Sequence, residues 1–171
     1  MNNLHLVCFL FLAMFFAVVM TSCRDDNSEM LRQSKQMALS FHSAVIELDI
    51  DKLSDLVVFP FHLDNDVVIK DRAQFKKVLS RKIGGMQKRM LAARKTEAVT
   101  YADFIDGHAI RGKKLKGDAA RKQAKKLHFV EGDVLVRCYS VDANRNQDGR
   151  DYYIVLRKND LGDLKVHTYF D

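Results

Sequence analysis

Val134-Leu135-Val136-Arg137-Cys138-Tyr139, continued by Tyr152-Tyr153-Ile154-Val155-Leu156-Arg157 and Leu164-Lys165-Val166-His167-Thr168-Tyr169-Phe170, is the stretch that decides the fold class. Its apolar period is two. Val134, Val136 and Cys138 alternate with Leu135, Arg137 and Tyr139, and Leu164, Val166, Thr168 and Phe170 alternate with Lys165, His167 and Tyr169. Successive strand residues point to opposite faces, so each segment predicts one face on a core and one in water, as antiparallel sheets arrange it. We expect strands at Val134 to Val141, Tyr152 to Arg157 and Leu164 to Phe170, joined by tight turns at Asp148-Gly149 and Leu161-Gly162-Asp163. Just upstream, Ala98 to Ile105 and Lys126 to Val130 read as two more strands.

Farther toward the N-terminus the period lengthens. Met30, Leu31, Met37, Ala38, Phe41, Val45 and Leu48 recur at three- and four-residue steps between Glu29 and Asp49, the stripe of an amphipathic helix. Asp51 is the expected cap of a short turn, Lys52 to Leu56, before a strand at Val57-Val58-Phe59-Pro60-Phe61. Pro60, the only proline, has no amide proton to give a sheet and confines that strand to an edge or a bulge. A strand at Asp66 to Lys70 follows. Asp71 then caps a helix with a stripe of Phe75, Val78, Leu79 and Ile83, and Gln74 is placed to return a bond to the cap. Gly84-Gly85 predicts its end or a kink, with Met86 to Ala93 resuming.

Helices followed by a long antiparallel meander make an α+β fold. The opening helix, the step Leu48-Asp49-Ile50-Asp51-Lys52-Leu53 into a second one, and the closing Tyr153-Ile154-Val155-Leu156-Arg157 with Leu164-Lys165-Val166 resemble the nuclear transport factor two-like, or SnoaL-like, superfamily. The resemblance covers residues 29–171 and implies N-terminal helices packed on the concave face of a bent, mostly antiparallel sheet, a cystatin-like cone whose mouth holds a catalytic Asp/His set, a small apolar ligand, or nothing. Gly107 to Lys125 departs from it as a basic insertion.

Asp103, His128, Arg137, Tyr139, Tyr153, His167 and Tyr169 are the candidates for such a mouth. Strand parity argues against catalysis, because Arg137, Tyr139, Lys165, His167 and Tyr169 fall opposite the apolar positions and so onto the outer face. We therefore expect Arg137, Tyr139, Tyr153, His167 and Tyr169 to form a ligand or partner surface, a homodimer included, since Tyr and Arg are enriched at interface anchors. No catalytic set, metal or cofactor is expected. A cone filled by Phe41, Phe75, Leu79 and Ile154 marks a binding module, whereas a cavity with convergent titratable groups marks an enzyme or ligand carrier.

The first 22 residues belong to another solvent. Met1 to Ser22 contain no Lys, Arg, Asp or Glu, although such residues make up 29% of the 171-residue chain. The apolar run Leu6 to Met20 is shorter than the ~20 residues of a membrane span and suits the centre of a cleaved signal peptide. Met20-Thr21-Ser22-Cys23 resembles the bacterial lipobox, with Met20 in place of the usual Leu and no basic residue before the apolar run. That resemblance implies acylation of the Cys23 thiol, and Arg24-Asp25-Asp26 resembles the surface-export signal of Bacteroidetes lipoproteins. The expected organisation is a leader at 1–22, a tether at 23–28 and one α+β domain at 29–171. The expected location is the outer membrane or cell surface.

Of the three cysteines, Cys8 leaves with the leader and Cys23 is acylated, so Cys138 has no partner and reads as a buried, inert thiol. The net charge of +6 comes from Lys70 to Lys95 and from an anion-binding candidate, Arg111, Lys113, Lys114 and Lys116, continued by Arg121-Lys122 and Lys125-Lys126. In an exported protein an anionic glycan or membrane surface is a nearer partner than nucleic acid. His62-Leu63-Asp64-Asn65-Asp66 reads as a polar turn, and Asp142 to Gly149 as a hairpin loop, because Val155 stands where a calcium loop requires Glu.

Overall fold

The computed structural model describes residues 27–64, 66–91, 93, 95–107, 115–139 and 151–171. The chain divides into two units, Met1–Arg32 and Gln33–Asp171, and the core described here belongs to the second. Helix α1 covers 27–46. It is followed by α2 (Ile50–Leu56), β1 (Val57–Leu63), β2 (Val67–Ile69), α3 (Arg72–Met90), β3 (Lys95–Thr100), α4 (Tyr101–Ile105), α5 (Gly117–Lys126), β4 (Val134–Tyr139), β5 (Tyr152–Lys158) and β6 (Leu164–Phe170). The fold is α+β, as the sequence indicates. The six strands form one sheet in the order β2-β1-β6-β5-β4-β3, with only β1 and β6 parallel.

Along α1, Ala38, Phe41 and Val45 of the expected stripe are fully buried, joined by Ser34 and Ala44, whereas Met30, Leu31 and Met37 are only partly buried. Leu48 is not part of the stripe. It lies beyond the helix in the left-handed region (φ 58°) and is 47% exposed. Asp49, rather than Asp51, caps α2 by accepting from the Lys52 amide at 2.9 Å. Asp71 caps α3 through the Gln74 amide (2.8 Å), but the Gln74 side chain accepts from Lys70 N–H rather than from the cap's own amide. Gly84-Gly85 does not end the helix, which runs unbroken to Met90. Packing of Phe75, Leu79, Ile83, Met86 and Met90 carries α3 through the pair, outweighing a glycine penalty of about 1 kcal/mol each.

Pro60 lies where the β1–β6 ladder shifts register between Val57 and His62, as a bulge-confined proline requires. Two expected strands are corrected. At Ala98 to Ile105 the strand stops at Thr100, whose hydroxyl accepts from the Asp103 amide at 3.2 Å and donates to the Asp103 carboxylate at 2.8 Å, starting α4. At Lys126 to Val130 the alternation of Leu127 and Phe129 belongs to the end of α5. His128 takes the left-handed conformation (φ 52°), its amide donates to Lys125 O, and the Phe129 amide donates to Ala124 O at 2.9 Å. Those two bonds are a Schellman stop, and Phe129 and Ala124 share the hydrophobic cluster that accompanies such a motif.

Helices therefore cover both faces of the sheet. One face, from Val136, Ile154, Leu156, Val166 and Phe61, meets α1 and α3. Phe41, Phe75, Leu79 and Ile154 are all fully buried, and Phe61 and Phe59 both pack edge-on against Phe75. Each such side chain contributes about 1.5–3 kcal/mol by leaving water. On the other face Val99, Leu135 and Val155 join Phe104, Ala120, Ala124, Leu127 and Phe129 of the α4–α5 segment in a second hydrophobic cluster. The face that alternation assigns to water is, over its middle, covered by the chain itself.

Candidate functional site

Arg137, Tyr139, Tyr153, His167 and Tyr169 do not form one exposed surface. Arg137 is 1% exposed, His167 4% and Tyr169 fully buried. Tyr169 is on the opposite face altogether, packed on Phe41 and Tyr152 at ring-centroid distances of 6.3 and 5.7 Å. The cause is a register shift. Leu156 pairs with Val166 but Val155 pairs with Thr168, so β6 carries one extra residue. A bulge inverts parity beyond it: His167 shares a face with Thr168, and Tyr169 turns toward the helices.

Arg137 lies within a polar network under the sheet's far edge. Its Nε and Nη2 donate to Asp151 Oδ2 at 3.0 and 2.9 Å, and its Nη1 donates to Glu97 at 3.3 Å. The guanidinium stacks over the Tyr139 ring at 4.2 Å, while the Tyr139 hydroxyl donates to Glu97 at 2.9 Å. Strand register produces this grouping, since Glu97 and Arg137 are directly paired across β3 and β4. Side chains of Arg137 and Asp151 are 2% and 1% exposed. A guanidinium so engaged stacks and holds structure, leaving little of its charge for a ligand.

A second polar group sits where β1, β6, β5 and the end of α5 meet. Arg157 donates in a fork to Asp133, Nε to Oδ1 at 2.8 Å and Nη2 to Oδ2 at 2.7 Å. Its Nη1 approaches His167 Nε2 at 2.9 Å. Arginine is only a donor, so Nε2 must present its lone pair, and His167 is the neutral tautomer with its proton on Nδ1, 3.0 Å from Thr168 Oγ1. Burial first, and then the Arg157 charge, push the His167 pKa down to about 3. His62 is lowered for the same two reasons, together with the neighbouring His128. The His62 ring stacks on His128 at 3.9 Å and tilts against His167 at 4.9 Å. Among the described residues no group of three or more His, Cys, Asp or Glu is placed to hold a metal ion.

The face covered by α1 and α3 opens at one rim into a cleft of about 240 Å³, lined by Leu39, His42, Thr96, Cys138 and Tyr152 among others. His42 Nδ1 lies 2.6 Å from the Tyr152 hydroxyl and the two rings stack. Burial raises the Tyr152 pKa, and burial pushes the Cys138 thiol up to about 11. Both groups stay protonated at neutral pH. Neither His42 nor Tyr152 stands out in the sequence. The register of Cys138 opposite Tyr152 and the position of His42 beside the buried Phe41 were the available signals. Asp103 is spent on its cap. Of the anion-binding set, Lys116 is exposed, its stem lying over Gly107. Arg111, Lys113, Lys114, Cys23 and the Asp142 to Gly149 loop lie outside the described residues.

The chain is similar to solved structures of cystatin-like folds. An NTF2-like protein with a cystatin-like fold from Novosphingobium aromaticivorans matches 90% of this chain and 85% of its own, at 11% identity and a TM-score of 0.43. A candidate scytalone dehydratase from the same organism matches 85% of each chain, at 16% identity and a TM-score of 0.43. A conserved protein from Planctomyces limnophilus matches 85% of this chain and 95% of its own, at 8% identity and 0.35. No protein-family model and no curated protein matches the sequence.

Proposed function

We propose that this chain is a lipid-anchored protein of the bacterial cell envelope, held in the outer membrane through Cys23, whose folded part binds rather than catalyses. The observation that supports the second half is the packing between helices and sheet, where Phe41, Phe75, Leu79 and Ile154 all have zero exposure, the arrangement expected of a binding module. The polar residues nominated from sequence support it too, because Arg137 is spent on Asp151 and Glu97, and His167 on Arg157. The anchoring half rests on the uncharged leader and Met20-Thr21-Ser22-Cys23. Expression in a bacterial host that acylates lipoproteins is expected to yield a mature N-terminus at a lipid-modified Cys23 by mass spectrometry. Cys23→Ser is expected to abolish the modification and leave membrane attachment weakened. A protein that keeps Met1, or whose attachment survives unchanged in Cys23→Ser, would falsify the anchor.

A second reading, a carrier of a small ligand, is favoured by the His42–Tyr152 pair at the rim cleft. A phenol titration followed by the His42 ring resonances tests it. The expected signature is a saturable shift, abolished in Tyr152→Phe, and ring resonances that stay still up to millimolar phenol end the idea.

A further inference from the structure

Helix α3 carries seven cations and no acidic residue along RAQFKKVLSRKIGGMQKRM. Three of the cations are satisfied inside the fold: Arg72 pairs with Asp55 at 2.7 Å, Lys76 with Asp51, and Arg89 with Asp171. Lys77, Arg81 and Lys88 are exposed and have no acidic partner among the described residues. At 3.6 residues per turn, Lys77, Arg81, Gly84, Lys88 and Leu91 fall within about 80° of arc, opposite the buried Phe75, Leu79 and Met86, in a row about 21 Å long. Leu91, which closes the row, is 51% exposed. Beside it, Gln87 donates to Ile46 O at 2.6 Å, which brings the end of α1, two residues before the exposed Leu48, against the same flank.

We propose that this outer face of α3 docks on an anionic lipid surface, Lys77, Arg81 and Lys88 meeting phosphate headgroups and Leu91 entering the boundary between headgroups and acyl chains. Charge complementarity supplies the attraction, of the order expected when basic residues approach an anionic leaflet. The leucine decides between polyanions. A soluble acidic glycan offers nothing to an exposed Leu, whereas cations on one helix face with a large apolar residue in the same row are the chemistry of interfacial binding. The row belongs to α3 and not to the basic stretch of sequence between Gly107 and Lys125, and its docking does not require acylation of Cys23.

Lysine acetylation of the full chain, read by mass spectrometry residue by residue, tests the docking. With vesicles containing ~30 mol% phosphatidylglycerol, Lys77 and Lys88 are expected to be protected at least about fivefold relative to pure phosphatidylcholine vesicles. Salt near 0.5 M is expected to remove the protection as the screening length falls to a few Å. Leu91→Asp, at an exposed position, is expected to reduce it while leaving the thermal midpoint unchanged. Equal reactivity in both vesicles overturns the proposal. So does protection confined to Lys122 and Lys125 of α5, or protection by dextran sulfate that exceeds protection by the anionic vesicles. Failure here leaves the anchor reading standing, because acylation is read at Cys23 and docking at α3.

Discussion

Arg137→Met is expected to lower the unfolding free energy by about 3–5 kcal/mol, because it leaves the Asp151 carboxylate buried without its guanidinium. Both side chains are almost inaccessible, and Asp151 Oδ2 receives two of the arginine's hydrogens, at 3.0 and 2.9 Å. Desolvation of an unpaired carboxylate is the dominant cost. Loss of the stacking on Tyr139 and of the Glu97 contact adds less, since the Glu97 side chain is 44% exposed and can return to water. Glu97→Gln should accordingly cost no more than about 1 kcal/mol. The paired replacement Arg137→Met with Asp151→Leu is expected to recover most of the loss, because two apolar groups of similar volume have no charge to desolvate. Urea denaturation of the two single variants and the double variant forms a thermodynamic cycle. Additive losses in that cycle would show that the pair does not act as a unit.

Acidification is expected to unfold the protein from the histidine side first. His167 falls from 6.5 to about 3 on folding, and His62 is also lowered. A histidine with a depressed folded-state pKa binds fewer protons in the native state than in the unfolded one. Its stabilisation is therefore complete above the unfolded value near 6.5 and is lost as pH falls toward 3. In that window the slope is about 1.4 kcal/mol per pH unit for each proton the unfolded chain takes up alone. The groups facing His167 are Arg157 of β5, His62 of β1, His128 after α5 and the Thr168 hydroxyl, with Asp133 held by Arg157. A proton on Nε2 would point at the Arg157 guanidinium. Two exposed carboxylates, Glu47 and Asp51, are held below their ordinary values of 4.5 and 3.8 by hydrogen bonds to Ser43 and Lys76, so whatever they contribute is lost only at still lower pH and the histidines govern the upper part of the curve. Stability measured between pH 7.5 and 5 should fall steadily in the native chain and become flatter in His167→Gln. An unchanged slope in that variant would sink the assignment.

Alternation in β4 and β5 correctly separated Val136 and Ile154 from Arg137 and Tyr153, because pleating alone sets which residues share a face. The same reading failed in β6. Nothing local in Leu164-Lys165-Val166-His167-Thr168-Tyr169-Phe170 signals the extra residue that the ladder with β5 accommodates, and one residue of slip exchanges faces for everything after it. Leu127 and Phe129 misled in another way. A two-residue alternation is too short to distinguish a strand from a helix stop, and only the packing of Phe129 on Ala124 and Phe104 selects the latter. The candidate site was legible as residue types but not as a place. His42 and Tyr152, 110 positions apart, became partners at 2.6 Å only through the packing of α1 on β5.

By itself, the sequence determined what depends on near neighbours: the α+β class, the cap at Asp71, most of the buried stripes of α1 and α3, and an uncharged stretch at 1–22 chemically unlike the rest of the chain. Those features follow from hydrophobic period, side-chain hydrogen bonding over three residues and local charge. The tertiary structure alone decided that the second face of the sheet is covered by α4 and α5, that Arg137 and His167 are buried against Asp151 and Arg157 rather than surface groups, and that α3 turns outward a basic row with no acidic partner among the described residues. Those outcomes depend on strand register and on desolvation between segments distant in the chain, and neither is a property of any short stretch of residues.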